Sequence, residues 1–311
     1  MACRHDRVIV VGIDGLGAFY LRGHPDVASV MPNFCALRRR EGCASTLSAR
    51  TVFPPISAPV WTSVLSGMTP DQTGVVANRW PSGDAVEPRV VHDGLPMTIM
   101  SMLRRASVTS EMIVSWPWLV QLVKDGDPLA KRTTTNEDDD AVVSLWTSEA
   151  EPAAFTFLHF DELDETAHAH TWGSPQYWEA AAQADARLGK VVAHADLLCR
   201  QRKERVLLIV CSDHGGSEHE HSRMIESHMS VPLLVWSSEP GLSIHVDEGA
   251  SVLDRVPHEM GGVQVRDNQR RRAKAVWRTS PQPASRACRI RPRVYYPHGG
   301  RNVSSTYSTK R

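Results

Sequence analysis

The sequence predicts a three-layer α/β/α sandwich around a mostly parallel sheet. Three observations carry this reading. Over the first 257 residues, short apolar runs alternate with longer helical stretches, the pattern of parallel α/β architecture. The apolar runs lack in–out alternation, as expected of strands covered on both faces. A length of 311 residues allows one large domain with an ample core.

The first strand is read at 7–13 (RVIVVGI). In PPISAPVWTSVLSG the prolines stop regular structure before Ser57, and the run to Gly67 reads as a helix of about three turns. A second strand follows at 111–115 (EMIVS). Residues 120–150 are polar and poorly periodic; the acidic run at 137–140 (EDDD) reads as a solvated loop or a helix start, not as a metal site. FTFLHF at 155–160 is the third strand. A helix is expected from about 175 to 201, with Ser174 as N-cap, Pro175 in the first turn and an alanine-rich body. Strands at 205–211 and 231–236 complete the set.

Charge divides the chain. The 35 basic and 35 acidic side chains cancel overall, yet residues 258–311 hold 13 Lys/Arg against 2 acids. This places a boundary near Pro257, between a domain at 1–257 and a basic tail at 258–311. Such a tail is ordinarily a solvated, disordered segment. Its densest patch (Arg270, Arg271 and Arg272) offers nucleic-acid binding by counterion release as the functional alternative. No apolar run approaches the ~20 residues of a membrane-spanning helix, and no signal peptide precedes the first strand. Cys3, Cys35, Cys43, Cys199, Cys211 and Cys288 include no CxxC pair. They indicate neither a disulfide framework nor a thiolate zinc site, and the expected location is cytoplasmic.

Polar residues gather at strand ends. Asp14 follows the first strand, Asp161 and Asp164 follow FTFLHF, and Asp213 and His214 follow RVLLIVC. One such Asp is usually a turn residue. Three strand ends delivering carboxylates and imidazoles to one sheet edge, where open α/β sheets bind ligands, define a candidate site. Asp164 and His168 share a helix face and can grip one ion. In SDHGGSEHEH the glycine turn allows Asp213 and His214 to converge; the bland reading is an exposed histidine-rich loop. Ser57 places a hydroxyl in the favourable field of a helix N-terminus. On sequence alone, a simple N-cap is the favoured reading of Ser57. Gly12-Ile13-Asp14-Gly15-Leu16-Gly17 is spaced G-x-x-G-x-G, with an acid where a pyrophosphate would sit, so nicotinamide binding is rejected.

GIDG, the Ser57 segment, Asp164-x3-His168 and SDHGG stand in the order seen in the alkaline phosphatase superfamily. Over residues 7–257 the chain most resembles its type I phosphodiesterase / nucleotide pyrophosphatase branch. The resemblance implies an alkaline phosphatase-like fold and two metal sites. Asp164, His168 and His221 match the first; Asp14, Asp213 and His214 match the second, which the nucleophile oxygen also contacts. His221 is preferred to His219 because Pro232 stands eleven residues further on, although Ser222 replaces the usual glycine. Most nucleotide pyrophosphatases use threonine as nucleophile, and Thr51-Val52-Phe53-Pro54 imitates their motif. The family's nucleophile lies ten residues before the helix-ending glycine, which is Ser57 and not Thr51. Asn78 matches an asparagine that contacts a phosphoryl oxygen, and is expected to be a buried neutral donor; its alternative is a turn residue.

The resemblance implies a metal-dependent hydrolase of phosphodiester or pyrophosphate bonds, acting through a phosphoserine on a small phosphate ester such as a nucleotide. Mixed His/carboxylate ligands suit two Zn2+ ions, with Mn2+ or Fe as alternatives. No fixed arginine clamp for a monoester is evident beyond Arg79, and the sulfatase signature Cys-x-Pro-x-Arg is absent. A phosphomonoesterase or phosphonate hydrolase of the same superfamily, and a non-enzymatic nucleic-acid binder acting through the tail, are the competing readings.

Overall fold

The computed structural model describes residues 5–81, 91–92, 94–240, 242 and 244–253. The boundary near Pro257 and the basic tail lie outside these residues. A seven-stranded sheet is built from β1 (Arg7–Ile13), β2 (Cys43–Arg50), β3 (Ser110–Val114), β4 (Ala130–Thr134), β5 (Phe155–Phe160), β6 (Val206–Cys211) and β7 (Ser230–Ser237). Its order is β2-β7-β6-β1-β5-β3-β4. The five strands from β6 to β4 run parallel, while β7 is antiparallel to both β6 and β2. A separate two-stranded pair joins Val91–His92 to Leu95–Pro96.

The missing alternation in the strands follows from the layers. In β1, Val8 and Val10 enter one apolar cluster, while Ile9, Val11 and Ile13 enter the other. The first cluster is closed by helix α1 (Ser57–Ser66), whose Trp61, Val64 and Leu65 are fully buried. The second is closed largely by α4 (Pro175–Arg202). Ser174 caps α4 by accepting from Tyr177 N–H, and Lys203 ends it in the left-handed conformation. Its buried Tyr177, Ala181, Ala184, Leu188, Val191, Ala195 and Leu198 form one stripe of helical periodicity.

Between these elements, residues 120–150 are more ordered than their polarity suggests. They contain β4 and the helix α2 (Asp139–Ser148), which Asp138 caps by accepting from Ala141 N–H at 2.8 Å. The acidic run is therefore a helix start, and Asp139 within it is buried, not solvated. A further helix, α3 (Glu162–His170), leaves the carboxyl end of β5.

Candidate active site

Strand register brings the polar residues together. Gly12 pairs with His159 on one side and Cys211 on the other, so Asp14, Asp161 and Asp213 leave three adjacent parallel strands at one edge. Asp14 N–H donates to Phe160 O at 2.9 Å, carrying the β1–β5 ladder one step past the strand end. Two glycines make the approach possible. A Cβ on Gly12 would sit 2.5 Å from the Trp61 ring, and Gly15, at φ +70°, would place one 2.9 Å from Asp164 Oδ1.

Ser57 is the first residue of α1, with Ile56 as N-cap, and its hydroxyl makes no capping bond. The simple N-cap reading therefore fails: Asn78 Oδ1 takes the Ala58 N–H at 2.9 Å in its place. Ser57 Oγ instead lies 3.3 Å from His214 Nε2. Asn78 is exposed, not the buried amide expected, because the turns following the short helix Pro70–Thr73 run along the surface. Arg79 is exposed beside it. Thr51 stands apart, just beyond β2, with its N–H donating to Met229 O.

Two groups of donors assemble, one of them through the His214 that meets Ser57. Asp164, His168 and His221 form one; Asp14, Asp213 and His214 form the other. Their tautomers follow from carbonyl oxygens, which only accept. His168 Nδ1–H donates to His219 O and His221 Nδ1–H to Pro55 O, each at 2.8 Å. His221 Nε2 then faces His168 Nε2 at 3.1 Å, and Asp164 Oδ2 lies 3.3 Å from the same His168 nitrogen. His214 Nδ1–H donates to Gly215 O at 3.1 Å. That leaves His214 Nε2 as a lone pair 3.1 Å from Asp213 Oδ2 and 3.4 Å from Asp14 Oδ1. His214 and His221 stack with ring centroids 3.6 Å apart, joining the two groups.

Carboxylates and imidazoles crowded together in a buried place suit a cation. Asp14 Oδ1, Asp164 Oδ1 and Asp213 Oδ2 are buried with no hydrogen-bond partner among the described residues. Burial and the charges of Asp14 and Asp164 push the Asp213 carboxyl well above the usual range. Burial, with the same two neighbours, raises Asp161 to about 10. The hydrogen bond to Asp164 raises His168 to about 9, whereas burial and His221 depress His214 to about 4. This donor set, two nitrogens with one carboxylate and two carboxylates with one nitrogen, suits divalent ions of the Zn2+ type.

His219 is exposed and outside both groups; its Nδ1 bonds His168 O at 2.8 Å, so the two histidines clasp each other's backbones. Two neighbours of Asp14 were not readable as site residues. Trp61 Nε1–H donates to Asp14 Oδ2 at 2.8 Å, and His159 Nε2 lies 3.1 Å from the same oxygen. These contacts outweigh the burial that would raise the Asp14 carboxyl, and hold it below the usual range. His159 also groups with Asp14 and Asp161. The only signal for His159 was a histidine inside the apolar run FTFLHF, a pattern equally typical of a packed core residue.

Fold and site together define a hydrolase scaffold of the alkaline phosphatase superfamily. A sequence model for the family "type I phosphodiesterase / nucleotide pyrophosphatase" matches residues 8–310, and the chain belongs to that family. Its members are metal-dependent. No curated protein sequence matches the chain. Among solved structures, murine ectonucleotide pyrophosphatase / phosphodiesterase 5 is similar at 23% identity and TM-score 0.53, over 68% of this chain and 57% of that one. An inactive variant of the same murine protein, in complex with AMP, aligns at 16% identity and TM-score 0.60, over 83% of this chain and 94% of that one. The C-terminal periplasmic domain of EptC from Escherichia coli, in complex with Zn, aligns at 11% identity and TM-score 0.57, over 83% and 82%. Among the described residues no helix is long and apolar enough to cross a membrane.

Proposed function

We propose that the chain is a two-metal hydrolase of phosphodiester or pyrophosphate bonds, with Ser57 as nucleophile. The observation that carries this reading is the meeting of Ser57 Oγ with His214 Nε2 at a helix N-terminus, beside two groups of possible metal donors in which Asp14, Asp164 and Asp213 each keep a buried oxygen without a hydrogen-bond partner. Asp164, His168 and His221 would hold one ion, and Asp14, Asp213 and His214 the other, with Zn2+ the best match to the donor chemistry. When bound, such ions supply Lewis acidity that activates a hydroxyl and neutralises phosphoryl charge.

The chain's own residues supply position. The start of α1 aims Ser57 Oγ at the site, where its bond to phosphorus forms as the bond to the leaving oxygen breaks. Water then cleaves the Ser57 phosphoester, releasing the phosphate product and restoring the serine. Asn78 fixes the first turn of α1 through the Ala58 N–H. Trp61 and His159 hold Asp14 in one orientation. The neighbour solved with AMP favours a nucleotide or related phosphate ester as substrate. A cytoplasmic location remains part of the reading, on the cysteine pattern.

The test is the ratio of kcat/KM for bis(p-nitrophenyl) phosphate to that for p-nitrophenyl phosphate in the Zn2+-loaded protein. A ratio above ten supports the diesterase. A ratio below one-tenth favours the monoesterase alternative.

A further inference from the structure

The helix that carries Asp164 and His168 does not cap itself. Asp161 is the N-cap of α3, but its side chain makes no capping bond. The capping acceptor comes from another helix. Asp139, the first residue of α2, accepts from Asp161 N–H through Oδ1 at 2.9 Å and from Glu162 N–H through Oδ2 at 3.3 Å. Asp139 is in turn gripped by Arg187 of α4, whose Nη1 lies 3.3 Å from Asp139 Oδ2 and also contacts Glu162. Asp139 and Arg187 are only 3% and 6% exposed, so this clamp works away from solvent screening.

We infer that Asp139 and Arg187 are positioning residues that set the register of α3, and with it the Asp164–His168 arm of the first metal site; this rests on the metal reading above. The geometry makes the dependence direct. Asp164 lies in the first turn of α3, three residues past Asp161. A helix turns by about 100° and rises about 1.5 Å per residue. Slippage or fraying at the start therefore swings Asp164 off its shared face with His168, whereas Asp14, Asp213 and His214 hang from β1 and β6 and stay where they are.

Asp140 is the internal control. It pairs with the same Arg187, at 2.9 Å, but touches no group at the start of α3 and is largely exposed. A role confined to stability through the ion network would involve Asp140 as well; a positioning role would not.

The experiment is calorimetric Zn2+ titration of the full chain after metal removal, comparing wild type with D139N, R187K, R187M and D140N. H168A identifies the binding step that belongs to the first site. Outer partners of metal ligands are typically worth 10–100-fold in affinity. D139N and R187M should weaken that step by about 10–100-fold and the other by less than threefold. R187K, which keeps the charge without the fork, should fall between them and wild type; D140N should move neither step by more than threefold. The mild R187K carries the test if D139N fails to fold. Two wild-type steps that stay unmoved in R187K and D139N, or that weaken equally, overturn this inference alone. A wild type that takes up no Zn2+ overturns the metal reading and this inference with it.

Discussion

Replacing Asp213 with asparagine should stabilise the metal-free protein and remove most of the stabilisation that metal gives. Asp213 is fully buried; Oδ1 accepts the Gly15 N–H at 3.2 Å, while Oδ2 has no partner and lies 3.1 Å from the His214 Nε2 lone pair. Where the carboxyl is ionised in the metal-free protein, at pH above its raised value, that oxygen is an unsatisfied acceptor among acceptors, and the comparison is made there. An amide in its place would keep the Gly15 bond through its oxygen and turn an N–H donor towards His214 and Asp14. Satisfying such a group is worth about 1–3 kcal/mol. At roughly 2–4 °C per kcal/mol for a domain of this size, Tm of the stripped protein should rise by about 2–12 °C. With metal, a loss of similar size offsets this gain. Since partners beyond the ligands alone are worth 10–100-fold, losing a ligand should weaken the site by about 100-fold or more. Zn2+ at 100 times its Kd stabilises by about 2.7 kcal/mol, and after a 100-fold loss of affinity by about 0.4 kcal/mol. Scanning calorimetry of EDTA-treated and Zn2+-loaded protein reads both effects. A stripped D213N protein that melts below wild type, with the Zn2+ shift intact, would refute the reasoning.

Three further outcomes follow from the same geometry. Ser57→Ala should lower kcat on a phosphodiester by at least about 1000-fold with metal content unchanged, while Thr51→Ala stays near wild type; the reverse pattern would move the nucleophile to Thr51. Burial raises the Glu111 carboxyl above its unfolded value, against the hydrogen bond from Thr156. Its stabilising effect is therefore complete at acid pH and lost as pH rises through the folded value, so the Tm gain of Glu111→Gln should grow from pH 4 to pH 8; a pH-independent difference would contradict this. Limited proteolysis should cut first between about 258 and 300 and leave an active core, and a protected tail would overturn the boundary drawn at Pro257.

Burial on both sheet faces explains what was legible in the sequence. β1, β5, β6 and β7 are buried along nearly their whole length and mostly apolar, so they read as strands without in–out alternation. The edge strands did not. β2 (CASTLSAR) and β4 (AKRTT) border the sheet, keep one side half-exposed, and carry the polar residues of a loop. The residues later found in the two donor groups were legible because their chemistry is unusual at strand ends. Their supports were not: Trp61, His159, Asp139 and Arg187 act through contacts made between elements far apart in sequence, and each alone resembles an ordinary core or surface residue. Asn78 shows the converse, a residue that bonds the first turn of α1 but whose exposure depends on the path of a surface turn.

The most direct test of the account is metal reconstitution under a phosphodiesterase assay. Protein stripped by chelation is titrated with Zn2+ while hydrolysis of bis(p-nitrophenyl) phosphate and bound metal are measured together. The account predicts no turnover in the stripped protein and activity that saturates at two ions per chain. Activity that survives stripping, or that saturates at one ion, would contradict it.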